Sequence, residues 1–270
     1  MAQTRISKTF EALRAQGGTA LIAYLTAGDP SPDRTAALAL AMERGGASII
    51  ELGVPFSDPI ADGPVIQRGA ERALKAGTTL RRVLDIASEI REKSEIPLML
   101  FSYMNPLLRY GFDKLAEEAA RRGIDGVLLT DLSVEEAEGP VEALRKHNLD
   151  SIFLAAPTST LERLRLVAQY SRGFVYVVSR AGVTGEQAQV AGGVSALIER
   201  LRGYTSLPAA VGFGVSKPEH AAQIAEYAEG VVVGSAFVRL IEEHGQDPDL
   251  ETRLEKFTRS LSSALSPQVK

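Results

Sequence analysis

The chain has 270 residues, 45% of them hydrophobic, which is enough to bury a large core at a length ordinary for a single β/α barrel. Its 30 basic and 34 acidic residues give a net charge of -4 without a long block of either sign, which argues against a nucleic-acid-binding surface. Cysteine is absent, so disulfides, thiolate metal ligands and a cysteine nucleophile are all excluded.

The amino-terminal stretch Met1–Lys8 has no apolar segment of signal-peptide type, and no uninterrupted apolar run is long enough to span a bilayer. A cytoplasmic soluble enzyme with no membrane contact is the expectation. Periodicity then predicts an amphipathic helix around Ile6–Ala15 and a buried strand over Thr19–Thr26, followed by a helix from about Asp33 to Arg44. A strand near Ser48–Leu52 leads through a long loop to helices near Val65–Lys75 and Leu80–Lys93, and then to the strand Pro97–Phe101. The alternation continues with a helix near Phe112–Arg122, a strand at Gly126–Leu129, a helix near Val134–His147 and a strand at Ser151–Leu154. Helix Leu161–Tyr170, strand Phe174–Val178, helix Val194–Leu201, strand Pro208–Val211, strand Val231–Val233 and a helix from Ser235 complete it. Roughly eight strand-helix units predict a closed (β/α)8 TIM barrel with an extra N-terminal helix and extra helices in its active-face loops. A doubly wound sheet is the alternative, but neither a Gly-x-Gly-x-x-Gly after the first strand nor a P-loop is present. Residues 1–270 read as one domain.

In a barrel the chemistry belongs at the C-terminal strand ends. Glu51 sits on a predicted buried strand, where an ionised carboxylate costs several kcal/mol unless it is paired or its pKa moves. Asp58 and Asp62 follow in a loop stiffened by Pro55, Pro59 and Pro64. Each acid alone is more readily a cap, an Asx turn or an ion-pair partner; together at the mouth of a sheet they favour a site. No lysine lies in or immediately after a predicted strand, and His147, His220 and His244 lack metal-ligand spacing, so cofactor-free acid/base chemistry by carboxylates remains. At the far end, Gly212-Phe213-Gly214 follows the seventh strand and Gly234-Ser235 follows the eighth, the two places where such barrels hold phosphate. Gly185 adds a further donor. No Lys or Arg lies in those two turns, so backbone amides are expected to hold the anion.

The segment Glu51-Leu-Gly-Val-Pro-Phe-Ser-Asp-Pro-Ile-Ala-Asp-Gly-Pro-Val-Ile-Gln67 closely resembles the signature of the tryptophan synthase α subunit family. Tyr24–Pro30, Tyr103–Pro106, Ala156–Thr160, Val178–Gly185, Val211–Val215 and Val233–Ser235 resemble that family's other motifs in the same order, so the resemblance covers essentially the whole chain. One departure is Ser133, where the family typically has proline. The resemblance implies a lyase that reversibly cleaves indole-3-glycerol phosphate to indole and glyceraldehyde 3-phosphate, with no cofactor of its own; a stand-alone lyase for the same substrate, or another phosphosugar barrel enzyme, is the alternative. It implies Glu51 as general acid/base and Asp62 as the acceptor of the indole N–H. It implies Tyr103 and Tyr176 near the substrate, Asp131 and Thr184 orienting Asp62 on closure, and Gly185, Gly212, Gly214, Gly234 and Ser235 as phosphate contacts. Tyr24, Leu100, Phe153 and Phe213 are expected to wall an indole pocket. The implied partner is the pyridoxal-phosphate-dependent β subunit, in an αββα heterotetramer, docked on a loop rim exposing Pro55, Phe56 and Pro59. A lid is expected over residues 179–193.

Overall fold

The structure is a computed structural model that describes residues 3–178, 187–212 and 214–266, with the backbone alone for 187–192. Helix α1 (Arg5–Ala15), capped by the Thr4 hydroxyl on the Ser7 amide, precedes strand β1 (Ala20–Thr26). Then come α2 (Pro32–Arg44), β2 (Ile49–Gly53), α3 (Pro64–Lys75), α4 (Leu80–Arg91), β3 (Leu98–Ser102), α5 (Met104–Tyr110), α6 (Phe112–Arg121) and β4 (Gly126–Leu129). A 3-10 turn at Val134–Glu136 leads to α7 (Glu138–Lys146), β5 (Asp150–Ile152), β6 (Leu154–Ala155), α8 (Leu161–Tyr170) and β7 (Val175–Val178). The chain ends with α9 (Gln187–Arg202), β8 (Ala209–Gly212), α10 (Pro218–Ala225), β9 (Gly230–Val233), α11 (Ser235–His244) and α12 (Leu250–Leu265).

All strand pairs are parallel, in the order β5-β4-β3-β2-β1-β9-β8-β7-β6. The two strands at the ends of that order, β5 and β6, are halves of one chain segment separated only by Phe153, so the sheet closes on itself through the chain. It is an eight-position β/α barrel whose fifth strand is broken.

Side-chain parity divides the core. Ile22, Ile49, Met99, Leu128, Ile152, Phe174, Ala210 and Val232 face the barrel interior, and Ile6 and Phe10 of α1 pack into the same cluster, with the Phe10 ring 5.6 Å from that of Phe174. The alternate residues, among them Leu21, Ile50, Leu100, Val127, Phe153 and Val231, face the helices.

Several expectations are revised. The helix foreseen over Val134–His147 is two pieces, because a continuous helix would place Pro140 in its interior, against the carbonyl four residues earlier; restarting at Glu138 moves Pro140 into a first turn. Ser133, just before the 3-10 turn, has φ -65°, the value a proline ring would impose. Three helices, α5, α10 and the C-terminal α12, are additional to those expected. Helix α5 begins where Asp131 Oδ1 accepts the Met104 amide at 2.7 Å, and α10 begins at Pro218. The expected 179–193 loop is overlapped by α9 from Gln187 on, and 179–186 lie outside the described residues. Among the described residues no helix is long and apolar enough to cross a membrane.

Candidate active site

A cavity of ≈ 810 Å³ opens at the C-terminal strand ends, lined in its depth by Tyr24, Glu51, Phe101, Leu154, Tyr176 and Val232. Glu51 comes from the middle of β2, whose parity turns it inward, one step above Ile49 of the interior cluster. It is 1% exposed, and its Oε1 has no hydrogen-bond partner. Burial pushes its carboxyl up to about 8, so it holds its proton at neutral pH. Tyr24 and Tyr176 share the interior, each with its hydroxyl pKa raised by burial and by the nearby carboxylates of Glu51 and Asp62. The Tyr24 hydroxyl shares a hydrogen bond with Thr26 Oγ1 at 3.2 Å.

These tyrosines need glycine beside them. A Cβ on Gly53 would lie 2.2 Å from the Tyr24 oxygen, and one on Gly212 would lie 2.3 Å from the Tyr176 oxygen. Gly212, anticipated as a phosphate contact, is not among the described residues lining the cavity; the need for glycine there arises from Tyr176.

Asp62 reaches the rim from the β2–α3 loop and lines the same cavity. Burial raises its carboxyl to about 6, while a hydrogen bond from Tyr103 pulls the other way. Tyr103 is buried behind the loop rather than lining the cavity, with its oxygen accepting the Ala61 amide at 2.9 Å and its ring packed on Phe56. Two carboxylates in one cavity thus have different charge states near pH 7. Asp62 is mostly ionised and Glu51 mostly protonated, an arrangement suited to one electrostatic and one proton-transfer role.

At the opposite side Gly214, Gly234 and Ser235 line the cavity, and Gly234 is the N-cap of α11. Gly214 has φ +79°, a conformation that favours glycine. Exposed amides at the start of α11 suit an anion.

Other anticipated positions fall elsewhere. Leu100 and Phe153 face the outer core, Phe153 with its ring 6.5 Å from that of Tyr170; their in-strand neighbours Phe101 and Leu154 wall the cavity instead. One residue of shift exchanges the two faces of a strand. Asp131 caps α5 through Met104 and does not line the cavity, whereas its neighbour Thr130 does. Asp58 is exposed and accepts from the Ser57 hydroxyl at 2.6 Å. Asp29, fully buried, is gripped by both Nε and NH2 of Arg72 at 2.8 Å, which makes it a structural ion-pair partner. Thr184, Gly185 and Phe213 lie outside the described residues. Lys217 and Arg239, which no sequence motif singles out, also line the cavity. Lys217 lies three residues beyond the glycine turn, and Arg239 stands four residues beyond Ser235, a spacing that puts both on one face of a helix.

A closed parallel barrel with a buried, protonated carboxylate at its strand ends and an anion-ready helix terminus across the cavity defines an acid/base enzyme of the TIM-barrel class. The family model for the tryptophan synthase alpha chain matches residues 10–266. The tryptophan synthase alpha chain of Solibacter usitatus is 63% identical over 258 residues, covering 96% of this chain and 97% of the relative. The crystal structure of tryptophan synthase subunit alpha from Legionella pneumophila superposes with a TM-score of 0.91 at 39% identity, covering 98% and 99% of the two chains. A chain of tryptophan synthase from M. tuberculosis in its aminoacrylate-bound form gives 0.88 at 37% identity, covering 97% and 100%. The chain belongs to the tryptophan synthase alpha chain family, lyases that cleave indole-3-glycerol phosphate.

Proposed function

We propose that a single carboxyl group, Glu51, performs both proton transfers of this cleavage, with Asp62 stabilising the charge that appears between them. The neutral Glu51 carboxyl gives its proton to indole C3, leaving a positively charged indoleninium. The carboxylate so formed takes the proton of the hydroxyl on the adjoining chain carbon. The electrons of the carbon–carbon bond then return to the ring and neutralise the nitrogen, releasing indole and glyceraldehyde 3-phosphate with Glu51 protonated again. The supporting observation is a wholly buried glutamate with one carboxylate oxygen unpartnered, in a cavity otherwise walled by Tyr24, Phe101, Leu154 and Tyr176. Such a group costs stability unless it serves a bound partner.

Asp62, ionised, accepts the indole N–H and balances the growing positive charge. Tyr103 holds that carboxylate from behind, and the amides of Gly234 and Ser235, with Gly214 across from them, receive the phosphate. The apolar walls accept the indole ring.

The β subunit docks on the rim formed by the loops after β2, β3 and β6. Three of the most exposed large apolar side chains lie there: Ile60 at 87%, Leu108 at 57% and Leu161 at 57%. The rim's apolar edge therefore differs from the expected one. Pro55 is buried and Phe56 and Pro59 are half-covered, leaving Ile60 as the projecting residue. Indole handed across such a contact never enters bulk water. The test of the function is an assay of the purified chain with indole-3-glycerol phosphate in which both products are quantified; equimolar indole and glyceraldehyde 3-phosphate is the expected result, and no turnover with or without a β subunit would overturn the reading.

A further inference from the structure

Most cavity-lining side chains are apolar or belong to the acid/base end; Lys217 and Arg239 are neither. Among the described residues no carboxylate lies within ion-pair distance of either one, although Glu243 lines the same part of the cavity and Glu219 lies in the first turn of α10. Elsewhere arginines such as Arg68, Arg72 and Arg91 are taken up by carboxylates.

Their positions also oppose what the fold itself favours. Lys217 is the N-cap of α10, where a side-chain acceptor and negative charge are preferred, and it makes no capping hydrogen bond. Arg239 stands one turn beyond Ser235 on α11, on the side of that helix that lines the cavity, and helical side chains lean towards the N-terminus, here the Gly234–Ser235 end. Two cations and two positive helix ends thus border one side of a cavity in a chain whose net charge is -4. Local secondary structure gives no reason for this arrangement, whereas a dianionic ligand does.

We infer that Lys217 and Arg239 are phosphate-binding residues that draw the dianionic end of the substrate into the site and select phosphorylated over unphosphorylated glycerol chains. This rests on the indole-3-glycerol phosphate reading of the cavity and revises the expectation that backbone amides alone hold the anion. Both side chains are exposed, so the attraction is screened by salt and acts on capture rather than on the chemical step.

The test is calorimetric titration of the full chain with glycerol 3-phosphate, paired with steady-state cleavage kinetics, for Lys217→Gln, Arg239→Gln and the double variant. Arg14→Gln, an exposed charge on α1 at the opposite end of the barrel, serves as the control. Each single variant is expected to weaken binding by roughly 3- to 10-fold and the double variant by more than about 10-fold, with a flatter dependence on ionic strength. The loss should fall in KM rather than kcat, and Arg239→Lys should restore most of it, which a packing role for Arg239 would not predict. A double variant with wild-type affinity, KM and salt dependence would overturn the inference while leaving the cleavage reading intact. A wild-type chain that binds glycerol 3-phosphate through these two cations yet cleaves nothing would instead overturn the cleavage reading alone.

Discussion

At the scale of single residues, the site depends on two carboxyl groups held in different charge states by their surroundings. Burial raises Glu51 to about 8, whereas Asp62, nearer the rim and hydrogen-bonded by Tyr103, reaches about 6. In the proposed mechanism activity requires Asp62 ionised and Glu51 protonated, so kcat/KM should rise through the lower value, level off near pH 7 and fall through the upper one. A profile rising steadily past pH 9 would show that a protonated Glu51 is not needed. The same burial affects stability. A carboxyl with a folded pKa raised above its unfolded value of 4.5 stabilises the fold only while protonated, and that contribution is lost as pH climbs towards 8. Glu51→Gln removes the titration without changing shape, so its melting temperature should exceed that of the wild type by a margin that widens between pH 5 and pH 8.5. A constant difference across that range would mean that Glu51 is not desolvated as described. Loss of function with gain of stability is the expected signature of a strained site residue.

At the scale of elements, β3 supplies the clearest test, because two adjacent residues have opposite duties. Leu100→Ala should lower unfolding free energy by about 2–5 kcal/mol, as a core cavity does, with little change in KM. Phe101→Ala, whose ring stands 5.3 Å from that of Tyr24 in the cavity wall, should raise KM for the substrate and cost less stability. Denaturant unfolding and steady-state kinetics on the two variants decide the matter, and the reverse pattern would mean that the strand faces the other way. The sequence makes the existence of this strand plain through its apolar run, yet conceals its parity, since strands of a parallel barrel are apolar on both faces. Glu51 escapes that ambiguity because a lone carboxylate marks its own face. The same limit makes Leu154 and Phe153 indistinguishable in the sequence as cavity-facing residues. Of the helices not expected, α5 and α10 are short and lie where proline and glycine suggest loops; their starts depend on Pro218 and on a cap from Asp131, which no local periodicity reveals.

At the scale of the whole molecule, the barrel places Glu51 and Asp62, the start of α11 and the exposed apolar rim on one face. The sequence disclosed this grouping through motif order, since Glu51, Asp62 and the two glycine turns all follow strands. Lys217 and Arg239 were less legible, because a charge outside a motif is indistinguishable from a solvated one until the cavity is seen. If the rim receives the β subunit, Ile60→Asp should weaken that complex at least about tenfold, since apolar anchors carry most of an interface's energy. It should leave cleavage by the isolated chain intact; unchanged affinity in a titration would move the contact elsewhere. In the proposed mechanism one buried carboxyl group moves both protons. It is tested most directly by single-turnover release of indole from indole-3-glycerol phosphate at pH 7, with saturating β subunit, comparing wild type with Glu51→Gln. The expected result is a folded variant slowed by about 10²–10⁴-fold at undiminished glycerol 3-phosphate affinity; release at a rate close to that of the wild type would rule Glu51 out as the proton carrier.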